Sequence, residues 1–332
     1  MLILKSERLL LCAEKTPSVC RKGYFTLIII YKIDMCKKCV LYLSHKCEKV
    51  TKNRFEKIKS DLSDGDLVWL YDTKGNSVPN YIEDVPHFLF DSTSFNRLSY
   101  DVWKKDMIPG CCHYPLMEFY KKNKCYDRYW FIEWDVKYTG NWQHLFKKLE
   151  KDTSEFISSH IRKYSTEERY KWWSFDGKKR IKNRNKIRSF NPIFRISKNA
   201  LEIIHEKHKK GLIGHNEVVI PTILKCNGYN ISDLGGHGSF VPEKRINSNY
   251  LENDLDFSCS ISPNLSKLKV KERVRSLLTT FRPGPKSRYM YTIKNKLYHP
   301  AKRYNTYKNI KRDMKQARLR YINFSKWIKN ES

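Results

Sequence analysis

At 332 residues, with 40% hydrophobic and 14% aromatic side chains, the chain can bury a core and is too apolar for a disordered polyelectrolyte. Its 65 Lys and Arg outnumber 35 Asp and Glu, giving a formal net charge of +30. An anionic partner is implied, and nucleic acid, a phosphorylated substrate and an anionic membrane surface all satisfy that demand.

No segment approaches the ~20 apolar residues of a membrane span. "YFTLIIIYKI" at 24–33 is too short, so the chain is expected to be soluble or peripheral. The ten cysteines are scattered and form no disulfide framework, which predicts a reducing, cytoplasmic setting. "CKKC" at Cys36–Cys39, with His45 and Cys47, offers half of a zinc site and lacks the second ligand pair.

From residue 39 to about 140, short apolar runs alternate with helical patterns. "CVLYLSHK" (39–46) reads as a strand and "VTKNRFEKIKSDL" (50–62) as a helix with Val50, Phe55, Ile58 and Leu62 on one face. "DLVWLYD" (66–72) and "HFLFD" (87–91) are further strands, each closing on an aspartate. "YPLMEFYKKN" (114–123) is a helix, and "YWFIEWD" (129–135) is a strand that ends in two acids. Apolar strands separated by helices predict an α/β fold with a mainly parallel sheet covered on both faces. Ligands of such sheets bind beyond the carboxyl ends of the strands. Ser44, His45, Asp72, Asp91, Glu133 and Asp135 all fall at those ends.

"NWQHLFKKLEKD" (141–152) predicts the next helix, 155–162 a strand, and "FNPIFRIS" (190–197) an extended segment. Ser197 caps a helix over 198–209 that Gly211 terminates. "HNEVVIPTILKCNG" (215–228) is a helix kinked or broken at Pro221. A strand at 229–234 leads into "GGHG" (235–238). From residue 267 the composition turns strongly basic. "YKNIKRDMKQARLRYINFSKWIKN" (307–330) has the spacing of a basic amphipathic helix.

Glu133-Trp134-Asp135 is the sharpest chemical signal. Alternate residues of a strand point to the same side, so the two carboxylates would repel unless a cation or a proton lies between them. A hard divalent cation, Mg2+ or Mn2+, suits such a pair and can in turn hold a diphosphate. Glu217 in "GHNEVVIP" stands where a helix N-terminus favours an acid; it is a candidate general base, with His215 as the alternative. "RYKWWSFDGKKR" (169–180) offers Trp172 and Trp173 for stacking sugars or bases.

The order strand, helix, strand-Asp, strand-Asp and strand with acidic triplet resembles the GT-A glycosyltransferases, the nucleotide-diphosphosugar transferase fold. "YWFIEWDVKYTGNW", "GHNEVVIP" and "NKLYHPAK" are similar to poorly characterised bacterial GT-A-like proteins and to a fungal family with a "W-E-x-D-V-R-Y-T-G" strand. The resemblance covers roughly residues 39–302. It implies a GT-A-like, Rossmann-like, mainly parallel sheet flanked by helices and followed by a basic, largely helical C-terminal extension. It implies an N-terminal extension (1–38), a catalytic domain (39–264) with a nucleotide-binding half (39–140) and an acceptor half (141–264), and a basic segment (265–332) that completes the site and meets membrane or acceptor.

The residue roles follow the same resemblance. Ser44, His45, Asp72 and Asp91 would face the nucleotide, with Lys302 against phosphate. Asp135, Glu133, His237 and His299 would be metal ligands for Mn2+ or Mg2+; Glu133 replaces the first Asp of the family triplet, which gives Asp135 the leading part. Glu217 and His215 would be catalytic. The implied activity is transfer of a sugar from a nucleotide-diphosphosugar donor to a surface polysaccharide, lipopolysaccharide or lipid-linked acceptor, at the cytoplasmic face of the membrane. Two other functions fit the residues: a nucleic-acid-binding protein or nuclease using the basic surface, and a non-catalytic GT-A-like protein.

Overall fold

A computed structural model describes residues 37–103, 107, 110–168, 170, 172, 173, 175–177, 181–250, 294–299 and 301. The expected N-terminal extension up to residue 36, Cys36 of the candidate zinc pair, Lys302 and the expected C-terminal helix lie outside these residues.

The strands are β1 (Lys38–Ser44), β2 (Asp66–Asp72), β3 (His87–Phe90), β4 (Arg128–Glu133), β5 (Lys137–Tyr138), β6 (Phe156–Lys163), β7 (Phe175–Gly177), β8 (Ile187–Ser197), β9 (Leu212–Gly214), β10 (Ile231–Asp233) and β11 (Leu297–Tyr298). The helices are α1 (Lys49–Asp61), α2 (Asn80–Glu83), α3 (Ser94–Leu98), α4 (Tyr114–Lys122), α5 (Trp142–Glu150), α6 (Lys198–Lys209) and α7 (Asn216–Cys226). Seven strands form one sheet in the order β10-β6-β8-β4-β1-β2-β3. Its pairings are parallel except those of β8, which runs antiparallel to both β4 and β6. This is the Rossmann-like, mainly parallel architecture expected from the sequence.

Alternation along the central strands divides the core into two layers. Leu41, Leu70, Tyr129, Phe131 and Phe194 face Leu116, Met117, Ile204 and Ile220, from α4, α6 and α7. Tyr42, Trp69, Trp130, Ile132 and Ile193 face Phe55, Ile58, Leu145, Phe146 and Leu149, from α1 and α5. With both faces covered, the central strands have no reason to carry polar residues, which is why they read as continuous apolar runs.

Two differences from the sequence reading have local causes. Pro221 does not break α7, which runs unbroken from Asn216 to Cys226. The proline ring removes the hydrogen bond to the carbonyl four residues earlier, that of Glu217. The Ser189 hydroxyl stands 3.4 Å from that oxygen, with Asn191 Oδ1 at 2.7 Å as its nearer acceptor. The strand expected over 129–135 ends at Glu133, because the Val136 N–H bonds the Glu133 carbonyl at 2.9 Å and turns the chain. Asp135 therefore sits in a turn and not on the strand. Among the described residues no helix is long and apolar enough to cross a membrane.

Candidate metal and catalytic site

The site grows from the carboxyl end of β4. The Trp134 N–H reaches the Leu43 carbonyl at 2.8 Å, which prolongs the contact with β1 by one residue before the turn. That turn places the Asp135 side chain in a buried position, while Glu133 stays partly exposed at the strand end.

A distant segment closes over the acids. β11 pairs antiparallel with β5, Leu297 opposite Tyr138 and Tyr298 opposite Lys137. Thr139 fastens the entry to β11: its N–H donates to the Lys296 carbonyl at 3.0 Å, and its hydroxyl accepts from the Lys296 N–H at 2.9 Å. At the exit, the Ala301 N–H donates to the Asp135 carbonyl at 2.7 Å. His299, between these fixings, brings Nε2 to 3.1 Å from Asp135 Oδ1 and 3.4 Å from Glu133 Oε2. The Phe190 ring of β8 lies edge-on to the imidazole at 5.3 Å.

Burial alone would lower the His299 pKa, but hydrogen bonds to Asp135 and then Glu133 outweigh it and raise the pKa to about 9. The imidazolium supplies the positive charge that two adjacent acids require, and a cation bound through Nε2 would take over that charge and release the proton. Glu133, Asp135 and His299 each offer a ligand atom within 4.8 Å of the others, and this is the one such group among the described residues. Two carboxylates and one imidazole, with further positions left to water or phosphate, fit a hard, six-coordinate divalent cation.

Glu217 occupies the first turn of α7, where the His215 Nδ1 caps the helix by accepting from the Glu217 N–H at 3.3 Å. Tyr170 donates its hydroxyl to Glu217 Oε2. Burial pushes the Glu217 carboxyl up to about 7, against the Tyr170 hydrogen bond and the Arg188 charge, and the charge of Glu133 pushes the same way as burial. Glu217 thus feels the charge of Glu133. The Cys112 thiol, driven up to about 12 by burial, is also pushed by Glu133 and by Glu217. Trp172 stacks on His215 at 5.0 Å and 11°, and Trp103 stands edge-on to both at 5.5 and 5.4 Å. Trp173 belongs to a buried cluster with Val218, Val219 and Ile223. Trp103 carries no sequence signal of its own; only the fold brings it here.

The residues expected at the nucleotide are placed differently from one another. The buried Ser44 hydroxyl donates to the Lys46 carbonyl at 2.7 Å and accepts from Trp69 Nε1 at 2.9 Å. His45 lies edge-on to Trp134 at 5.9 Å, beside the acidic turn. Asp72 Oδ1 accepts from the Lys74 N–H at 3.0 Å in the loop after β2. Asp91 Oδ1 accepts from the Thr93 N–H at 2.8 Å and pairs with Arg97 at 3.1 Å, so it anchors the entry to α3. His237 sits in the loop after β10, where Asp233 Oδ1 accepts from the N–H groups of Gly235 and Gly236, and it is outside the group formed by Glu133, Asp135 and His299.

No family model and no curated protein matches the chain. Solved structures similar to it include 4-diphosphocytidyl-2C-methyl-D-erythritol synthase from Anaerococcus prevotii, at 7% identity over 62% of this chain and 89% of that one, with a TM-score of 0.37. Another is CMP:2-keto-3-deoxy-manno-octonic acid synthetase complexed with CTP, at 9% identity over 62% and 94%, TM-score 0.32. A third is a glycosyltransferase involved in glycosylating the major capsid of PBCV-1, at 11% identity over 51% and 65%, TM-score 0.27.

Proposed function

We propose that this protein is a metal-dependent glycosyltransferase of GT-A type, which moves a sugar from a nucleotide-diphosphosugar to a surface polysaccharide, lipopolysaccharide or lipid-linked acceptor. The observation that carries the reading is the convergence of Glu133, Asp135 and His299 at the carboxyl edge of a mainly parallel sheet, with Glu217 within reach of the Glu133 charge. That edge is where α/β sheets bind their ligands.

Asp135, Glu133 and His299 would hold Mn2+ or Mg2+, which when bound neutralises the diphosphate that departs from the sugar. His45 and Lys46 flank Trp134 at the end of β1, and there they would meet the nucleotide. In its ionised form Glu217 accepts the proton of the acceptor hydroxyl as the new bond to the sugar carbon forms and the bond to the diphosphate oxygen breaks. The Arg188 charge favours that ionised form. The wall of Trp103 and Trp172 offers apolar faces to a sugar ring. The overall charge of +30 would hold the enzyme to anionic lipid at the cytoplasmic membrane face, with each nearby Lys or Arg contributing on the order of 1 kcal/mol.

The test is hydrolysis and transfer with a panel of UDP- and GDP-sugars plus Mn2+, comparing wild type with Asp135→Ala. Turnover of at least one donor that collapses in the variant supports the reading, and equal turnover by both proteins sinks it. The same charge of +30 favours nucleic-acid binding as a second reading. Tight binding of a random oligonucleotide with a steep salt slope, and no response to any nucleotide-sugar, would support that one instead.

A further inference from the structure

Arg54 lies on α1, far along the chain from β11 and without a place in the chemistry described above. Its Nη1 donates to the Trp134 carbonyl at 2.7 Å, and its Nη2 donates to the Ala301 carbonyl. One of these oxygens belongs to the acidic turn and the other to the segment that delivers His299. Trp134 directly precedes Asp135, and Ala301 stands two residues beyond His299. We propose that Arg54 is a positioning residue for the metal site: its guanidinium clips the β11 segment to the acidic turn and thereby sets the spacing of the Asp135 and His299 ligand atoms.

The physical case rests on geometry. A guanidinium is planar, and its two terminal nitrogens keep a fixed separation. Two carbonyl oxygens that bind one each are held at a matching distance. The Ala301 N–H to Asp135 carbonyl bond, at 2.7 Å, closes a ring of contacts on the same pair of segments. Without Arg54 the stretch beyond His299 would keep the Ala301 N–H to Asp135 carbonyl bond to the acidic turn and lose the two-point grip of the guanidinium. The β5–β11 pairing and the Thr139–Lys296 bonds fasten the near side of His299, and Arg54 acts on its far side, where Ala301 meets the acidic turn. Lysine carries the same charge but offers one compact head group, so it can serve one carbonyl well or both poorly.

The inference rests on the metal reading above, and the experiment separates the two. Mn2+ affinity is measured on the full chain by the electron paramagnetic resonance of free Mn2+, for wild type, Arg54→Met, Arg54→Lys, His299→Ala and the double variant Arg54→Met/His299→Ala. Outer partners of metal ligands typically change affinity by about 10- to 100-fold. Arg54→Met is expected to weaken Mn2+ binding by that factor, and Arg54→Lys to recover part of it. In the His299→Ala background, Arg54→Met should add less than about threefold, because the ligand it positions is gone. Hydrogen exchange of the metal-free protein gives a second readout, in which peptides spanning 294–301 exchange faster in Arg54→Met and Arg54→Lys shows the same change to a smaller extent. If Arg54→Met does not fold, Arg54→Lys with the exchange data decides alone. Wild-type protein that ignores Mn2+ overturns the metal reading and this inference together. Wild type and His299→Ala that differ in Mn2+ affinity, while both Arg54 variants match wild type, overturn the inference alone. Equal, additive losses in the presence and absence of His299 overturn it too, since they mark Arg54 as a general stabiliser.

Discussion

His299 Nε2 stands 3.1 Å from Asp135 Oδ1, although β6, α6, β8 and α7 all intervene between them in the chain. The contact depends on how closely β11 lies on β5, and Gly140 controls that approach. A Cβ at position 140 would collide with Asn295 Oδ1 and would come within 2.8 Å of the Tyr138 ring. Gly140→Ala is therefore expected to lift the 294–299 segment, destabilise the protein by about 1–3 kcal/mol as overpacking does, and weaken Mn2+ binding. A denaturant melt together with a Mn2+ titration checks this, and a variant equal to wild type in both would refute it.

Glu217 predicts a pH signature with two faces. As the base it must be ionised, so turnover should climb as pH rises through about 7, and Glu217→Gln should lose most of the activity at every pH. The folded state holds the Glu217 proton more tightly than the unfolded chain, whose carboxyl titrates near 4.5, so this group costs stability progressively as pH rises from 4.5 to about 7. That cost is on the order of 3 kcal/mol above pH 7 by the 1.36 kcal/mol per unit conversion. Glu217→Gln, which mimics the protonated form, should then melt higher than wild type at pH 8 and much like it at pH 4.5. Melting curves at the two pH values test the point, and a variant less stable than wild type at pH 8 would count against it.

A second pair of titrating groups is formed by two histidines. His113 Nε2 and His208 Nε2 meet at 2.9 Å in the core, and His208 Nδ1 bonds the Leu212 carbonyl at 2.8 Å. Burial drives the His208 pKa from 6.5 down to about 4, despite the Leu212 hydrogen bond, and burial followed by the His208 charge drives His113 well below its usual range. The unfolded chain takes up these protons first, so stability should fall as pH drops from 6.5 towards 4. For His208 the loss is on the order of 3 kcal/mol. His208→Gln should flatten that part of the stability curve. A His208→Gln protein whose stability changes between pH 7 and pH 4.5 as that of wild type does would remove the basis for the expectation.

Much of this architecture is legible in the residues. The apolar runs of β1, β2 and β4 announce strands buried on both faces, and Ser197 caps α6 as its residue type suggests, accepting from the Ala200 N–H at 3.1 Å. Short pairings are not legible. β5 and β11 contribute two residues each, and nothing in "KY" or "LY" specifies a partner so far along the chain. The strand reading of Glu133 and Asp135 reaches a correct juxtaposition by an incorrect route, since period-two alternation does not survive the turn after Glu133. Asp91, expected at the nucleotide, also does what a strand-end aspartate is suited to do and caps the loop that follows, accepting from the Thr93 N–H.

Every strand of the seven-stranded sheet is complete by Asp233, whereas the imidazole that sits against the acids arrives only at position 299. The sheet and the candidate metal site are thus separable in chain order. A chain cut before Lys294 would keep the residues of all seven strands of the sheet but lose the imidazole beside Glu133 and Asp135, and with it one of the three ligands of the proposed metal site.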